Sequence, residues 1–99
     1  MDFNGGSLFD DNLATGSGDG GRGGALYNED GGVITLSDST TFRDNFAYWG
    51  GAIFNHPGDD EEGTTAATTT FPDDTVFENN GATHCPNINN GDNDNCPDV

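Results

Sequence analysis

The sequence feature that constrains the fold most is the pattern Phe-x-x-Asn-x-Ala, which the chain carries three times. Its phenylalanines are Phe9, Phe42 and Phe77, which lie 33 and then 35 residues apart. A short pattern that recurs at intervals of about 30 residues is typical of repeat architectures, in which each unit buries its apolar side chains against the next unit. The pattern therefore predicts that equivalent residues of successive repeats lie above one another.

A second motif follows the first two copies of this pattern. It reads Gly-Gly-Ala-Leu-Tyr-Asn at residues 23–28 and Gly-Gly-Ala-Ile-Phe-Asn at residues 50–55. The Gly/Ser/Asp-rich stretch 15–21 has the composition of a loop insertion in the first copy. In addition, Leu36 and Phe71 each lie six residues before a repeat phenylalanine. Three features in the same order predict a unit made of an apolar strand, a Phe-x-x-Asn strand and a Gly-Gly-Ala strand.

The segments between turn residues are short and rich in β-branched and aromatic residues, and no window carries the apolar stripe of a helix. We therefore expect an all-β fold, a parallel β-solenoid fragment of about two to three coils, with coils stacked about 4.8 Å apart. Stacking assigns structural roles to the repeat residues. An aromatic stack is expected from Phe9, Phe42 and Phe77, an amide ladder from Asn12, Asn45 and Asn80, and sharp corners from Gly23, Gly24, Gly50 and Gly51.

The charge of the chain excludes several functions. The 99 residues include 18 acidic and 2 basic ones, Arg22 and Arg43, which gives a net charge of −16. Binding to nucleic acid or to anionic lipid needs clustered Lys and Arg, so neither is expected. No segment is long and apolar enough for direct membrane insertion, and the first 30 residues lack the basic and apolar regions of a signal peptide. Only 17 residues are Leu, Ile, Val or Phe, which is workable when most recur at stacked positions.

The sequence divides into three parts. Residues 1–6 are expected to form an N-terminal edge, residues 7–83 the repeat module, and residues 84–99 an Asn/Asp-rich tail or a cap on the last coil. Cys85 and Cys96 are each followed by proline and offer one intramolecular pairing. A disulfide would close a small loop and fit an oxidising compartment, and the alternative is two free thiols in a disordered tail.

Metal sites are poorly supported by the sequence. Zinc would need His56, His84, Cys85 and Cys96, whose spacing fits no common pattern. Asp92 and Asp94 begin like a calcium loop, but the glycine and glutamate that such a loop needs are absent. We expect no cofactor, with calcium restricted to weak association with acidic loops.

Two clusters of side chains are the remaining candidates for catalysis or ligand binding. Asp10, Asp11, Asp44 and Glu78 are expected at equivalent turns, where stacked carboxylates would raise one another's pKa and could serve a hydrolase. Against this, a field of −16 repels an acidic polysaccharide. Tyr48 and Trp49 are candidate ligand contacts, suited to a sugar face or a protein partner, and the alternative is that they cover an edge of the solenoid.

The joint occurrence of residues 23–26, residues 50–53 and the three Phe/Asn pairs resembles the repeat signature of the polymorphic outer membrane protein family of bacterial autotransporters. The resemblance covers residues 7–82 and implies a right-handed parallel β-helix, an extracellular or cell-surface location and a role in adhesion. The third copy departs from it because it lacks Gly-Gly-Ala. Such repeats are also similar to those of pectate-lyase-like β-helix proteins.

The function expected is therefore a non-enzymatic, extracellular or surface-associated β-helix repeat module with an adhesive or structural role. The alternative is a fragment of a carbohydrate-active, pectate-lyase-like enzyme. The expected partners are a protein or carbohydrate at a surface and the remainder of a longer solenoid.

Overall fold

The computed structural model describes residues 2–3, 7–16, 21–29, 31–36, 40–58, 63, 65–72, 74–91 and 96. Within these ranges the secondary structure consists of short β-strands, and they contain no helix. The strands are β1 (Asp2–Phe3), β2 (Leu8–Asp10), β3 (Leu26–Asn28), β4 (Val33–Leu36), β5 (Thr41–Arg43), β6 (Phe46–Trp49), β7 (Ile53–Asn55), β8 (Thr68–Thr70), β9 (Val76–Glu78), β10 (Gly81–His84) and β11 (Ile88–Asn89).

In the part of the chain that the structure describes, the strands form four small sheets in which every pairing is parallel. Their orders are β1-β4-β8, β2-β5-β9, β6-β10 and β3-β7-β11. The chain thus runs through the sheets in three successive passes, with β1–β3 in the first pass, β4–β7 in the second and β8–β11 in the third. In the β6-β10 sheet the first pass contributes isolated bridges, Leu13 to Phe46 and Arg22 to Trp49.

The register places equivalent residues of the passes beside one another. Phe9 pairs with Phe42 and Phe42 with Phe77. Ile53 is likewise the partner of both Leu26 and Ile88. At these core positions the neighbouring strands carry the same residue type or a similar one, so side chains of similar shape pack on one another.

The core runs along the direction in which the passes stack. Its fully enclosed members come mainly from the second pass, where Phe42 and Ile53 are completely buried. The rings of Phe9 and Phe42 are 4.7 Å apart between centroids, those of Phe42 and Phe77 are 5.2 Å apart, and both pairs are stacked. A middle pass covered on both sides explains how so few apolar residues supply a core.

Described residues near both ends of the sequence take part in the sheets. Asp2–Phe3, within the expected N-terminal edge, pairs with β4. At the other end the expected boundary between residues 83 and 84 falls inside β10, and β11 pairs with β7. Residues 84–91 therefore continue the third pass, while residues 92–95 and 97–99 lie outside the described residues.

The physical reason is that residues 85–90 form a third corner without the Gly-Gly-Ala sequence. Cys85 has a φ of 61°, close to the 64° of Gly50 at the equivalent position. Ile88 then lies beside Ile53 in the core. The corner keeps its backbone conformation although the glycines are replaced by Cys85 and Pro86, so a search for Gly-Gly-Ala misses it.

Candidate functional site

The asparagines of the Phe-x-x-Asn motif form a ladder through the three passes. Asn45 is completely buried in the middle of it. Its Oδ1 accepts hydrogen bonds from the backbone N–H (3.0 Å) and Nδ2 (2.9 Å) of Asn12. Asn45 in turn donates from its backbone N–H and from Nδ2 to Oδ1 of Asn80, at 3.0 Å each. Each amide therefore satisfies the turn backbone of the adjoining pass as well as its neighbour in the ladder.

The residue before each ladder asparagine holds the turn. Asp11, Asp44 and Asn79 have φ values of 58°, 56° and 53°. Asp and Asn tolerate this left-handed conformation better than other non-glycine residues, because their short polar side chains bond locally. The backbone at the third position of Phe-x-x-Asn therefore favours Asp and Asn.

A second asparagine ladder lies at the end of the Gly-Gly-Ala strands, where the sequence analysis assigned no role. Nδ2 of Asn28 donates to Oδ1 of Asn55 at 3.1 Å, and Nδ2 of Asn55 donates to Oδ1 of Asn90 at 2.8 Å. Thr69 Oγ1 adds a 2.7 Å bond to Oδ1 of Asn55. The signal was present in the sequence, because both Gly-Gly-Ala motifs end in asparagine two residues after the Leu or Ile.

The glycine corners bring neighbouring passes into backbone contact. Gly23 and Gly50 have φ values of 67° and 64°. At the next residue, a Cβ on Gly24 would meet the carbonyl oxygen of Gly51, and a Cβ on Gly51 would meet that of Pro86. The first glycine of each pair is needed for its dihedral angles and the second for close packing between passes.

Tyr48, Trp49 and His84 form an aromatic patch at the end of the β6-β10 sheet, and all three are half-buried. The rings of Trp49 and His84 are stacked, 4.0 Å apart between centroids and 15° from parallel. Tyr48 meets both of these rings edge-on at 5.2 Å. The sequence suggests a role for His84 only as a candidate metal ligand, whereas its register opposite Trp49 makes it part of the patch.

The carboxylates do not form the single row that the sequence analysis expects. Arg43 lies between Asp10 and Glu78 in the strand register, and Asp11 and Asp44 belong to the neighbouring turn positions. Arg43 Nη2 donates to Asp10 Oδ2 at 3.1 Å. This hydrogen bond is the main reason that the pKa of Asp10 is lowered; burial acts in the opposite direction, and the charge of Arg43 adds a lesser lowering. For Asp10 this direction is opposite to the rise expected from stacked carboxylates.

Both basic residues of the chain are engaged within the fold. Arg43 pairs with Asp10, and Asp10 is the main cause of the raised pKa of the Arg43 guanidinium. The guanidinium carbon of Arg22 lies 4.9 Å from the centre of the Phe54 ring, a cation–π contact.

The cysteines and the candidate metal ligands lie as follows. Cys85 and Cys96 are joined by a disulfide with Cα atoms 5.4 Å apart, so neither sulfur is available as a thiolate ligand. His56 Nδ1 accepts a hydrogen bond from the backbone N–H of Gly58 at 3.1 Å. The described residues contain no cluster of three or more His, Cys, Asp or Glu that could hold a metal ion. The calcium candidates Asp92 and Asp94 lie outside the described residues.

Parallel strands in register and two amide ladders define this chain as a protein built from stacked sequence repeats. The Chlamydia polymorphic membrane protein (Chlamydia_PMP) repeat matches it in two segments, residues 6–29 and 39–56. Each segment contains one Phe-x-x-Asn motif and one Gly-Gly-Ala motif, so the match supports the resemblance to the polymorphic membrane protein repeat family. No curated protein and no solved structure matches the chain. No helix among the described residues is long and apolar enough to span a membrane.

Proposed function

We propose that this chain is a non-enzymatic repeat module of a right-handed parallel β-helix, displayed at a cell surface with a structural or adhesive role. The observation that carries the proposal is that side chains of the repeat motifs pack inside the fold and are not available to a substrate. Phe42 and Asn45, at the centre of the second copy, have no exposed surface. The repeat that matches the chain is one of membrane proteins, which supports a surface location. The module would stack with the remainder of a longer solenoid.

The right-handed sense rests on a general property of parallel strands. Connections that return to the same sheet are right-handed in about 98% of cases, because strand twist favours that sense. Here each strand of one pass is paired with a parallel strand of the next pass, and the chain between the two strands is a connection of this kind. An experimental structure of the chain tests the handedness directly, and left-handed connections would contradict it.

The non-enzymatic assignment is supported by the charged residues. A lyase acting on acidic sugars needs a cation to neutralise the substrate carboxylate, and a hydrolase needs a carboxyl group of raised pKa. The two arginines are engaged with Asp10 and Phe54, and the pKa of Asp10 is lowered. Incubation with polygalacturonate and with neutral glucans should give no new reducing ends or unsaturated products, and turnover of either would overturn the assignment.

The surface location has its own test. The chain carrying an epitope tag is expressed in its source cells, and intact cells are treated with an added protease. Loss of the tag from intact cells, while a cytosolic marker survives, is the expected result. Protection of the tag until the cells are broken would contradict a surface location.

Within this function, the aromatic patch is the proposed ligand contact, with a carbohydrate face as its partner. Trp49 is the only tryptophan, so its fluorescence reports on the patch alone. Titration with cellohexaose, a neutral glucose oligosaccharide, should change the emission saturably, and Tyr48→Ala should weaken the effect. Phe46→Ala is the matched control, because Phe46 is exposed on the same strand outside the patch. A change of emission with polylysine but not with cellohexaose would indicate a cationic protein partner. No change with either would contradict the ligand contact and indicate that the rings only cover the edge of the sheet.

Calcium association stays a prediction for the acidic loops. Far-UV circular dichroism with and without millimolar calcium tests it, and an unchanged β spectrum would remove any calcium dependence of the fold.

A further inference from the structure

The ladder asparagines of the third pass differ from those of the first two in the residue that follows them. Asn80 of the first ladder and Asn90 of the second are each followed by glycine, Gly81 and Gly91. The ladder asparagines of the earlier passes precede larger residues, which are Leu13, Glu29, Phe46 and His56. A further Asn-Gly pair, residues 4–5, lies outside the described residues. Asparagine before glycine is especially prone to deamidation, because glycine has no side chain to hinder attack by its own nitrogen.

Deamidation at Asn80 needs water as its only co-reactant. The backbone nitrogen of Gly81 forms a bond to Cγ of Asn80 while the Cγ–Nδ2 bond breaks, and Nδ2 leaves as ammonia with the proton of the Gly81 N–H. The product is a cyclic succinimide. Water then opens the ring at Cγ to give aspartate, or at the backbone carbonyl carbon to give isoaspartate, in which the main chain runs through Cβ.

In the folded chain, both groups that must react are hydrogen-bonded to other residues. The N–H of Gly81 donates to the backbone oxygen of Asn45 at 2.8 Å. Oδ1 of Asn80 accepts from the backbone N–H and from Nδ2 of Asn45, at 3.0 Å each. Its Nδ2 donates to the backbone oxygen of Phe42 at 3.0 Å and to Oδ1 of Asn87 at 3.1 Å. Attack requires the Gly81 nitrogen to lose its proton and the Asn80 amide to turn toward it, so these bonds must break first.

The second Asn-Gly pair is held by different partners. The N–H of Gly91 donates to Oδ1 of Asn89 at 2.8 Å, and Oδ1 of Asn90 accepts from Nδ2 of Asn55 at 2.8 Å. Because the two pairs belong to different ladders, a change in one ladder is expected to act on its own pair. Loss of one hydrogen bond shifts such an opening equilibrium by about fivefold.

We propose that Asn80–Gly81 is a site of spontaneous deamidation that becomes reactive only when the third pass separates from the second, and that the modification prevents the pass from closing in its original form. A carboxylate at residue 80 still accepts from Asn45, but it has no proton to donate to the backbone oxygen of Phe42 or to Oδ1 of Asn87. It also adds a negative charge to a chain that already carries −16. Opening of the third pass is thereby converted into a chemical change that closure does not reverse. This inference goes beyond the proposed surface role and does not depend on it.

Tandem mass spectrometry measures the modification at Asn80 and Asn90 separately. The full chain, with its disulfide intact, is incubated in mildly alkaline buffer with and without a denaturing concentration of urea. Asn80 should deamidate at least about 100-fold more slowly without urea, because several hydrogen bonds must break together. Equal rates in the two conditions, or no reaction at Asn80 in urea, would overturn the proposal.

Paired variants test whether each ladder controls its own site. Asn87→Ala removes one acceptor of Asn80 Nδ2 and places alanine where the second pass has Ala52, so the corner is expected to fold. It should speed deamidation at Asn80 about fivefold and leave Asn90 unchanged. Asn55→Ala removes the donor to Asn90 Oδ1 and should speed Asn90 more than Asn80. An unchanged rate at Asn80 in Asn87→Ala, or the same acceleration at both sites, would contradict control by the ladder.

The effect of the modification on closure has a separate test. Asn80→Asp reproduces one of the two products and should lower the urea midpoint. Asn79→Asp is the matched control, because it adds the same charge at an exposed turn position where the earlier passes have Asp11 and Asp44. In 0.5 M sodium chloride, where repulsion between surface charges is screened, this control should keep the wild-type midpoint. Equal midpoints for the two variants would overturn the claim that the modified pass does not close in its original form.

Discussion

At the residue scale, Asn45 shows how a polar side chain can organise an interior. It is fully buried, and its amide is bonded to Asn12, Asn80 and the backbone oxygen of Phe9. Removing such a group leaves several buried partners unsatisfied, each of which costs about 1–3 kcal/mol. We expect Asn45→Ala to lower the free energy of unfolding by about 2–4 kcal/mol, measured by urea denaturation.

Asn12→Ala is the matched control for this experiment. Asn12 is only half-buried and stands at the end of the ladder. Alanine there removes the hydrogen bond from Nδ2 to Asn45 Oδ1 and keeps the bond that the backbone N–H donates to the same oxygen. Its effect should be about 1 kcal/mol. If both variants lose the same free energy of unfolding, the asparagine in the middle of the ladder stabilises the fold no more than the one at its end.

The pair of Asp10 and Arg43 predicts a small pH dependence with a defined sign. The pKa of Asp10 is lowered in the folded chain, chiefly by the hydrogen bond from Arg43. A lowered folded pKa stabilises the fold above the unfolded value of about 3.9, and this contribution is lost as the pH falls through the folded pKa. Arg43→Gln should therefore raise the pKa of Asp10, as followed by NMR of its carboxyl carbon. An unchanged titration midpoint would contradict the role of Arg43.

The sequence predicts which residues lie together where a motif repeats. It does not do so where only the strand register brings residues into contact. The stack of Phe9, Phe42 and Phe77 follows from spacing. The contact of His84 with Trp49 does not, because the two residues share no motif and meet only through the register of β10 on β6. The position of Arg43 between Asp10 and Glu78 does follow from the repeat, because each of the three residues directly follows a repeat phenylalanine.

At the element scale, the corners depend on glycine for two separable reasons, backbone dihedral angles and space. Gly50 has a φ of 64°, and a Cβ there would also meet the carbonyl oxygen of Ile53. Gly63 has a φ of 73° with nothing within 4 Å of such a Cβ. Gly63→Ala should lose about 1–2 kcal/mol of unfolding free energy, the cost of the left-handed conformation.

Gly50→Ala should lose about 1–3 kcal/mol more than Gly63→Ala, because close backbone contact adds to the conformational cost. Urea denaturation of both variants measures the difference. If the two losses agree, the corner needs glycine for its dihedral angles alone.

The third corner makes a related prediction about the disulfide. Cys85 adopts a φ of 61° at the position of a glycine, and its bond to Cys96 closes a separation of 11 residues. Cys96→Ser should destabilise the fold by about 2–3 kcal/mol on the chain-entropy account. In that background Cys85→Gly should be more stable than Cys85→Ser by about 1 kcal/mol, since glycine adopts a positive φ without strain.

The comparison of the two double variants by urea denaturation isolates the corner from the disulfide. A Cys85→Gly variant no more stable than Cys85→Ser would indicate that the corner does not hold the left-handed conformation once the disulfide is absent. The sequence predicted the cysteine pairing from number alone, but it could not show that Cys85 substitutes for a corner glycine.

At the scale of the whole molecule, stacking of the passes builds a core from few apolar residues, but it does not reduce the negative charge of the chain. The chain carries a net charge of −16 within dimensions of 38 × 24 × 20 Å. The Debye length is about 30 Å at 0.01 M salt and falls to a few Å near 1 M, so acidic groups on opposite sides repel one another only at low salt. Sodium chloride should therefore raise the urea midpoint as it increases from 0.01 to 0.5 M.

A matched variant separates this repulsion from other effects of salt. Asp11 and Asp44 hold left-handed turn positions at which the third pass has Asn79, so Asp11→Asn with Asp44→Asn keeps the turn and removes two negative charges. The variant should be more stable than the wild type at 0.01 M salt, and its advantage should shrink at 0.5 M because screening already weakens the repulsion that it removes. An advantage independent of salt would instead assign the gain to the turn conformation, and equal stability at low salt would show that the folded chain tolerates its charge without measurable repulsion at these turns.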